Sequence, residues 1–161
     1  MEPKIITTTA FLLAGIHEEM SLNNDNTFKL WSTFMPVKMS IPTLKNKNNY
    51  SVKVHNSIND IHDFTPNTSF TKWAAVPIDH ATEAPDKFDL LSIPEGLYAV
   101  FIHKGPASTF SNTLEHIFVN WLPNSNYTLR DAPHFEVLKN DYNPNDPLAE
   151  EAVWIPIQEK K

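Results

Sequence analysis

The chain has 161 residues, and its 41% hydrophobic and 11% aromatic content is enough to bury the core of one globular domain. A net charge of −6 with a single arginine and scattered lysines argues against a nucleic-acid surface. The absence of cysteine excludes disulfides, thiolate nucleophiles and sulfur metal sites, and three glycines are too few for a nucleotide-cradling loop.

No long apolar run opens the chain, so neither a signal peptide nor a membrane helix is expected, and the expected compartment is the cytoplasm. Lys4 to Leu13 is rich in β-branched residues and reads as one strand. Asn23 to Asn26 forms a turn with N-cap candidates, and a helix is expected over about 27–35. Tyr50 to His55 alternates as a half-buried strand does, and a long polar stretch then leads to a strand over Phe70 to Ile78. The order then repeats. Gly96 to His103 is a strand, Pro106 to Leu122 a helix, and His134 to Leu138 and Ala152 to Ile157 two further strands.

Two heptapeptides mark the repetition. Leu30-Trp31-Ser32-Thr33-Phe34-Met35-Pro36 and Ile117-Phe118-Val119-Asn120-Trp121-Leu122-Pro123 begin 87 residues apart. Each places four large residues at i, i+1, i+4 and i+5, on one helical stripe, and then a proline expected to end the helix. Phe11-Leu12-Leu13 and Tyr98-Ala99-Val100 echo each other at the same offset. The expected fold is therefore α+β. A strand–helix–strand–strand unit is duplicated in a curved antiparallel sheet with two helices packed on one face. Residues 1–161 would form a single domain made of two halves, about 1–80 and 90–161, with a seam able to hold a small molecule.

Aligning the halves sets Tyr50-Ser51-Val52 against Phe135-Glu136-Val137, so Ser51 in the first half becomes Glu136 in the second. If Phe135 and Val137 face the helices, strand alternation turns Glu136 to the opposite, concave face. Trp73, Tyr98 and Trp154 also lie on expected strands, where alternation can bring them to that same surface. A partly desolvated carboxylate among aromatic rings is the chemistry that takes up lipophilic cations. The seven histidines show no HxH or HxxxH pair on one element, so no metal site is expected and most are expected at the surface.

At these residues the chain resembles a known family. Ser92-Ile93-Pro94-Glu95-Gly96-Leu97-Tyr98-Ala99-Val100-Phe101-Ile102-His103-Lys104-Gly105 is similar to the central strand of the GyrI-like effector-binding domains. So are Trp121-Leu122-Pro123-Asn124-Ser125-Asn126-Tyr127-Thr128-Leu129 and Pro133-His134-Phe135-Glu136-Val137. These domains are the ligand-binding part of some AraC-type and MerR-type multidrug-responsive regulators. The resemblance implies a pseudo-twofold axis, a ligand groove between the halves, and Glu136 as the buried glutamate that neutralises cationic drugs. It departs from the family at Leu138, where a tyrosine often stands. With no segment left for a helix-turn-helix, it implies a stand-alone sensor-type domain.

The expected binding residues are Glu136, Tyr98, Trp73, Trp154, Leu138 and Ser51, with no cofactor, no metal and no assigned catalytic residue. The expected partner is a small lipophilic cation, while a protein partner and a homodimer stay open. Two alternatives remain. One is a hydrolase of reactive aromatic compounds, with Glu136 as general base and Tyr98 as hydrogen-bond donor. The other is a protein inhibitor of DNA gyrase.

Overall fold

The computed structural model describes residues 1–161. Nine strands and three helices follow one another along the chain. The strands are β1 (Lys4–Thr8), β2 (Phe11–Met20), β3 (Asn49–His55), β4 (Phe70–Ile78), β5 (Asp89–Ile93), β6 (Gly96–Lys104), β7 (Tyr127–Leu129), β8 (His134–Leu138) and β9 (Glu150–Glu159). The helices are α1 (Thr27–Met39), α2 (Ile58–His62) and α3 (Phe110–Glu115), the last continuing through a π-helical stretch (His116–Trp121) to a final α-turn (Leu122–Asn124). No helix is long and apolar enough to cross a membrane.

All pairings are antiparallel, in the order β1-β6-β9-β8-β3-β4-β2-β5, with β7 added beside β9. The order is its own mirror: exchanging β1 with β5, β2 with β6, β3 with β8 and β4 with β9 leaves it unchanged. The unit β2–α1–β3–β4 thus recurs as β6–α3–β8–β9, and the two meet at the β3–β8 ladder. Each outermost strand crosses over. β1 pairs with β6 of the second unit, and β5 pairs with β2 of the first.

This crossing corrects the single strand expected over Lys4 to Leu13. The run is extended throughout, but it breaks after Thr8, and its two pieces lie in different parts of the sheet. Propensity reports extended backbone and carries nothing about the pairing partner.

The helix expected to stop at Pro36 runs on to Met39. Proline removes one amide donor, leaving the Ser32 carbonyl without its helical partner. Ser32 and Pro36 both lie on the exposed side, where water can serve that carbonyl. Leu30, Phe34 and Lys38, one turn apart, bury the other side and hold the last turn in place. Lys38 is fully buried, its ammonium donating to the Lys47 carbonyl (2.6 Å) and the Asn140 amide oxygen (3.1 Å). α2, β5 and β7 lie outside the expected elements.

The helices cover one face of the sheet. Leu30 and Phe34 of α1 pack on Ala14, Ala74 and Val76, while Ile117 and its neighbours on α3 pack on Phe101, Val153 and Ile155. The other face holds a third cluster that includes Leu13, Val52, Trp73, Tyr98 and Phe135. Phe11 of β2 reaches Phe135 of β8 there, ring centroids 5.9 Å apart. In a flat sheet, strands three places apart would be separated by roughly 14 Å. The sheet therefore curls around this aromatic cluster, with the helices outside.

Gly15 marks a point where only glycine fits. A Cβ there would stand 2.0 Å from the Ala74 carbonyl oxygen of the paired strand.

Candidate functional site

Alternation along β3 puts Ser51, Lys53 and His55 on the helix face, and along β8 it puts His134, Glu136 and Leu138 there. The register sets Ser51 opposite Glu136 and Lys53 opposite His134. Above these residues the sheet is roofed by α2 and α3, leaving a cavity of about 390 Å³. Its floor carries Lys53, His55, His134 and Glu136, with Val153 and Ile155 of β9. Its roof is mostly apolar: Ile61 and His62 come from α2 and Phe64 from just after it, and Phe110, Leu114, Phe118 and Leu122 from the α3 run. Phe118 belongs to the π-helical stretch and stacks on His134, centroids 6.3 Å apart.

Burial perturbs the four polar groups of the floor. Burial pushes His134 down to about 3, with His55 and Lys53 adding to the effect. Burial likewise pushes His55 down to about 4, again helped by Lys53. Both imidazoles are therefore neutral at pH 7. Their rings meet edge to face at 5.1 Å, and His55 Nδ1 and His134 Nε2 are buried without a hydrogen-bond partner. Burial lowers the Lys53 ammonium, opposed by the charge of Glu136. Burial raises the Glu136 carboxyl against the pull of Lys72 and Lys53, and Glu151 adds to the rise. The chain's two close contacts between basic and acidic side chains, His17–Asp89 and Lys104–Glu150, involve neither Lys53 nor Glu136. The Lys53 ammonium instead lies over the Phe70 ring, 5.1 Å from its centroid. No three histidine, aspartate or glutamate side chains converge as a metal-holding group.

Of the expected residues, only Glu136 and Trp154 line the cavity. Ser51, buried directly opposite Glu136, and Leu138, two residues along β8, share the helix face of the sheet with Glu136 without lining the cavity. The three aromatic residues lie on the other side of the sheet. Tyr98 and Trp154 pack on Phe135, centroids 5.3 and 5.2 Å away. Trp73 packs on His17, ring centroids 4.3 Å apart and planes tilted by 31°. The expected orientation of β8 is thus reversed, with Phe135 and Val137 turned into the concave interior and Glu136 toward the helices. The reason is burial. Aromatic side chains each remove about 150–250 Å² from water, and the curled interior offers Phe135 four aromatic neighbours at once. Phe135 and Trp154 still border the cavity from the floor strands, while their rings belong to that cluster. The Tyr98 hydroxyl donates to the Pro133 carbonyl at 2.9 Å, and the Arg130 guanidinium lies over its ring.

Sequence reasoning missed Lys53, His55 and His134. It also expected most histidines at the surface, yet His103 and His134 are buried and only His17, His62 and His80 are exposed. The signal was present: Lys53 and His55 follow Ser51 at i+2 and i+4, and His134 precedes Glu136 at i−2, so all share a face with that pair.

The transcriptional regulator BrlR of Pseudomonas aeruginosa is 25% identical over 158 residues, 98% of this chain and 56% of BrlR, so the chain spans about half the length of that relative. SAV2435, solved bound to tetraphenylphosphonium, superposes with a TM-score of 0.71 at 18% identity, over 98% of this chain and 94% of that one. The C-terminal domain of EcmrR superposes with a TM-score of 0.68 at 11% identity, over 99% and 98% of the two chains. At these identities the two structures establish a shared fold. Residues 1–158 match the GyrI-like small molecule binding domain, and the chain belongs to that family.

Proposed function

We propose that this chain is an effector-binding module for small, lipophilic, cationic molecules, taken into the cavity between α2 and α3 with Glu136 as countercharge. One observation carries the reading: a half-buried carboxylate, without an ion-pair partner, stands in the floor of an otherwise largely apolar chamber. A carboxylate held away from water attracts a cation more strongly than one in solvent, and an apolar ligand body gains by burial against Phe110, Leu114 and Phe118. That the SAV2435 structure holds tetraphenylphosphonium supports the cationic class for this chain. The two wings of the cavity come from the two repeated units, so the seam between residues about 1–80 and 90–161 is part of the same proposal. So are a cytoplasmic location and a ligand-dependent contact with a partner protein or a second copy.

The hydrolase reading loses its donor. The Tyr98 hydroxyl is bonded to Pro133 on the face of the sheet away from Glu136. A thermal-shift series over lipophilic cations and neutral molecules of the same shape tests the binding reading. The cations should raise the unfolding temperature in proportion to RT ln(1 + [L]/Kd), and the neutral set much less. Equal shifts for both sets would remove Glu136 from the account.

A further inference from the structure

Lys53 has no role in the binding of a simple cation, yet it sits in the same floor as Glu136. The two are diagonal neighbours across the β3–β8 ladder, since Ser51 faces Glu136 and Lys53 faces His134. Neither has a countercharge directly opposite. On its other side Lys53 is paired in register with Lys72 of β4. Like charges set directly opposite repel, so the lysine pair gains from an anion brought to it. With both imidazoles neutral, the groups of the cavity floor able to carry charge are one amine, Lys53, and one carboxyl, Glu136. A cation alone pairs with Glu136 and leaves Lys53 uncompensated, and an anion alone does the reverse. Only a ligand carrying both charges satisfies both in a space where unpaired charge is costly.

We infer that the cavity is amphoteric, with Lys53 a second ligand-binding group that takes a carboxylate of the ligand while Glu136 takes its cationic end. The ligand class is then a zwitterion on an apolar body, its charges separated by roughly the 7–8 Å of a diagonal cross-strand pair. This rests on the cation-binding reading above and narrows it. Lys53 becomes the residue that sets specificity between plain cations and zwitterions.

Two probes of one shape make the test: pentyltriphenylphosphonium, a cation, and (4-carboxybutyl)triphenylphosphonium, a zwitterion at neutral pH. Each is titrated calorimetrically into the full chain and into Lys53→Met, Lys53→Arg and Glu136→Gln, with thermal unfolding used to verify folding. The native chain and Lys53→Arg should prefer the zwitterion by about tenfold, the scale of one partly buried charge pair. Lys53→Met should reverse the order, gaining affinity for the plain cation and losing it for the zwitterion. Glu136→Gln should weaken both. A native chain that binds the plain cation as tightly as the zwitterion overturns the inference and leaves the cation-binding reading standing. An unchanged preference in Lys53→Met does the same. Failure of the native chain to bind either probe overturns the parent reading, and this inference with it.

Discussion

Ser51 and Glu136 face each other across the β3–β8 ladder, at the midpoint of the sheet order. They occupy corresponding places in the two repeated units, so the near-symmetry of the fold brings a small hydroxyl and a carboxylate to one spot. A carboxylate at both places would put two like charges directly opposite each other, which strands tolerate poorly. With serine in one unit and glutamate in the other, that spot holds one half-buried carboxylate instead of two.

The first prediction follows from that geometry. Ser51→Glu should destabilise the fold at pH 7 by about 1–3 kcal/mol, through repulsion and desolvation of a second carboxylate. Acidification to pH 5 should recover much of the loss, because protonating one of the pair removes the repulsion. Urea unfolding at the two pH values measures both effects. An equal loss at both would show that size, not charge, is at fault.

A second prediction concerns the two neutral histidines. Their folded values, about 4 for His55 and about 3 for His134, lie below the ordinary 6.5 of an unfolded histidine. The unfolded chain thus binds more protons in this range. Their contribution is fully present above pH 6.5 and is lost as pH falls toward 4 and 3. A shift of this kind is worth on the order of a few kcal/mol per group. Glu136 acts with the opposite sign, since its raised value makes the fold easier to keep as pH falls. Urea midpoints between pH 7 and pH 4 should fall, and His134→Leu should flatten the fall. A slope unaltered in His134→Leu would mean that His134 titrates normally.

The third prediction tests the strand packing behind the site. Gly15→Ala puts a Cβ 2.0 Å from a backbone oxygen of β4, which cannot swing aside as a side chain would. The loss should exceed about 4 kcal/mol, or folded protein should fail to accumulate. A near-native urea midpoint for Gly15→Ala would contradict the close approach of β2 and β4.

Much of this architecture is legible in the sequence. Tyr50 to His55 alternates with period two, and the Leu30 and Ile117 heptapeptides repeat with helical period, so each unit's order could be read. The β1–β2 break could not, because Lys4 to Leu13 is extended on both sides of it and only the pairing partner changes. β7, three residues long, carries too little pattern to register. The faces of the sheet mark the sharper boundary. Alternation dictates that Phe135 and Val137 lie opposite Glu136, but not which side the helices take. That choice belongs to the curvature, which gathers Phe11, Tyr98, Phe135 and Trp154 inside and leaves Glu136, Lys53 and the two histidines beneath α2 and α3.

The central claim is that Glu136 binds a lipophilic cation in this cavity, and calorimetric titration of tetraphenylphosphonium into the native chain and Glu136→Gln tests it most directly. The account predicts saturable one-to-one binding by the native chain and at least about tenfold weaker binding by the folded variant, the scale of a lost charge interaction in a partly buried site. Equal affinity in the two proteins would contradict it.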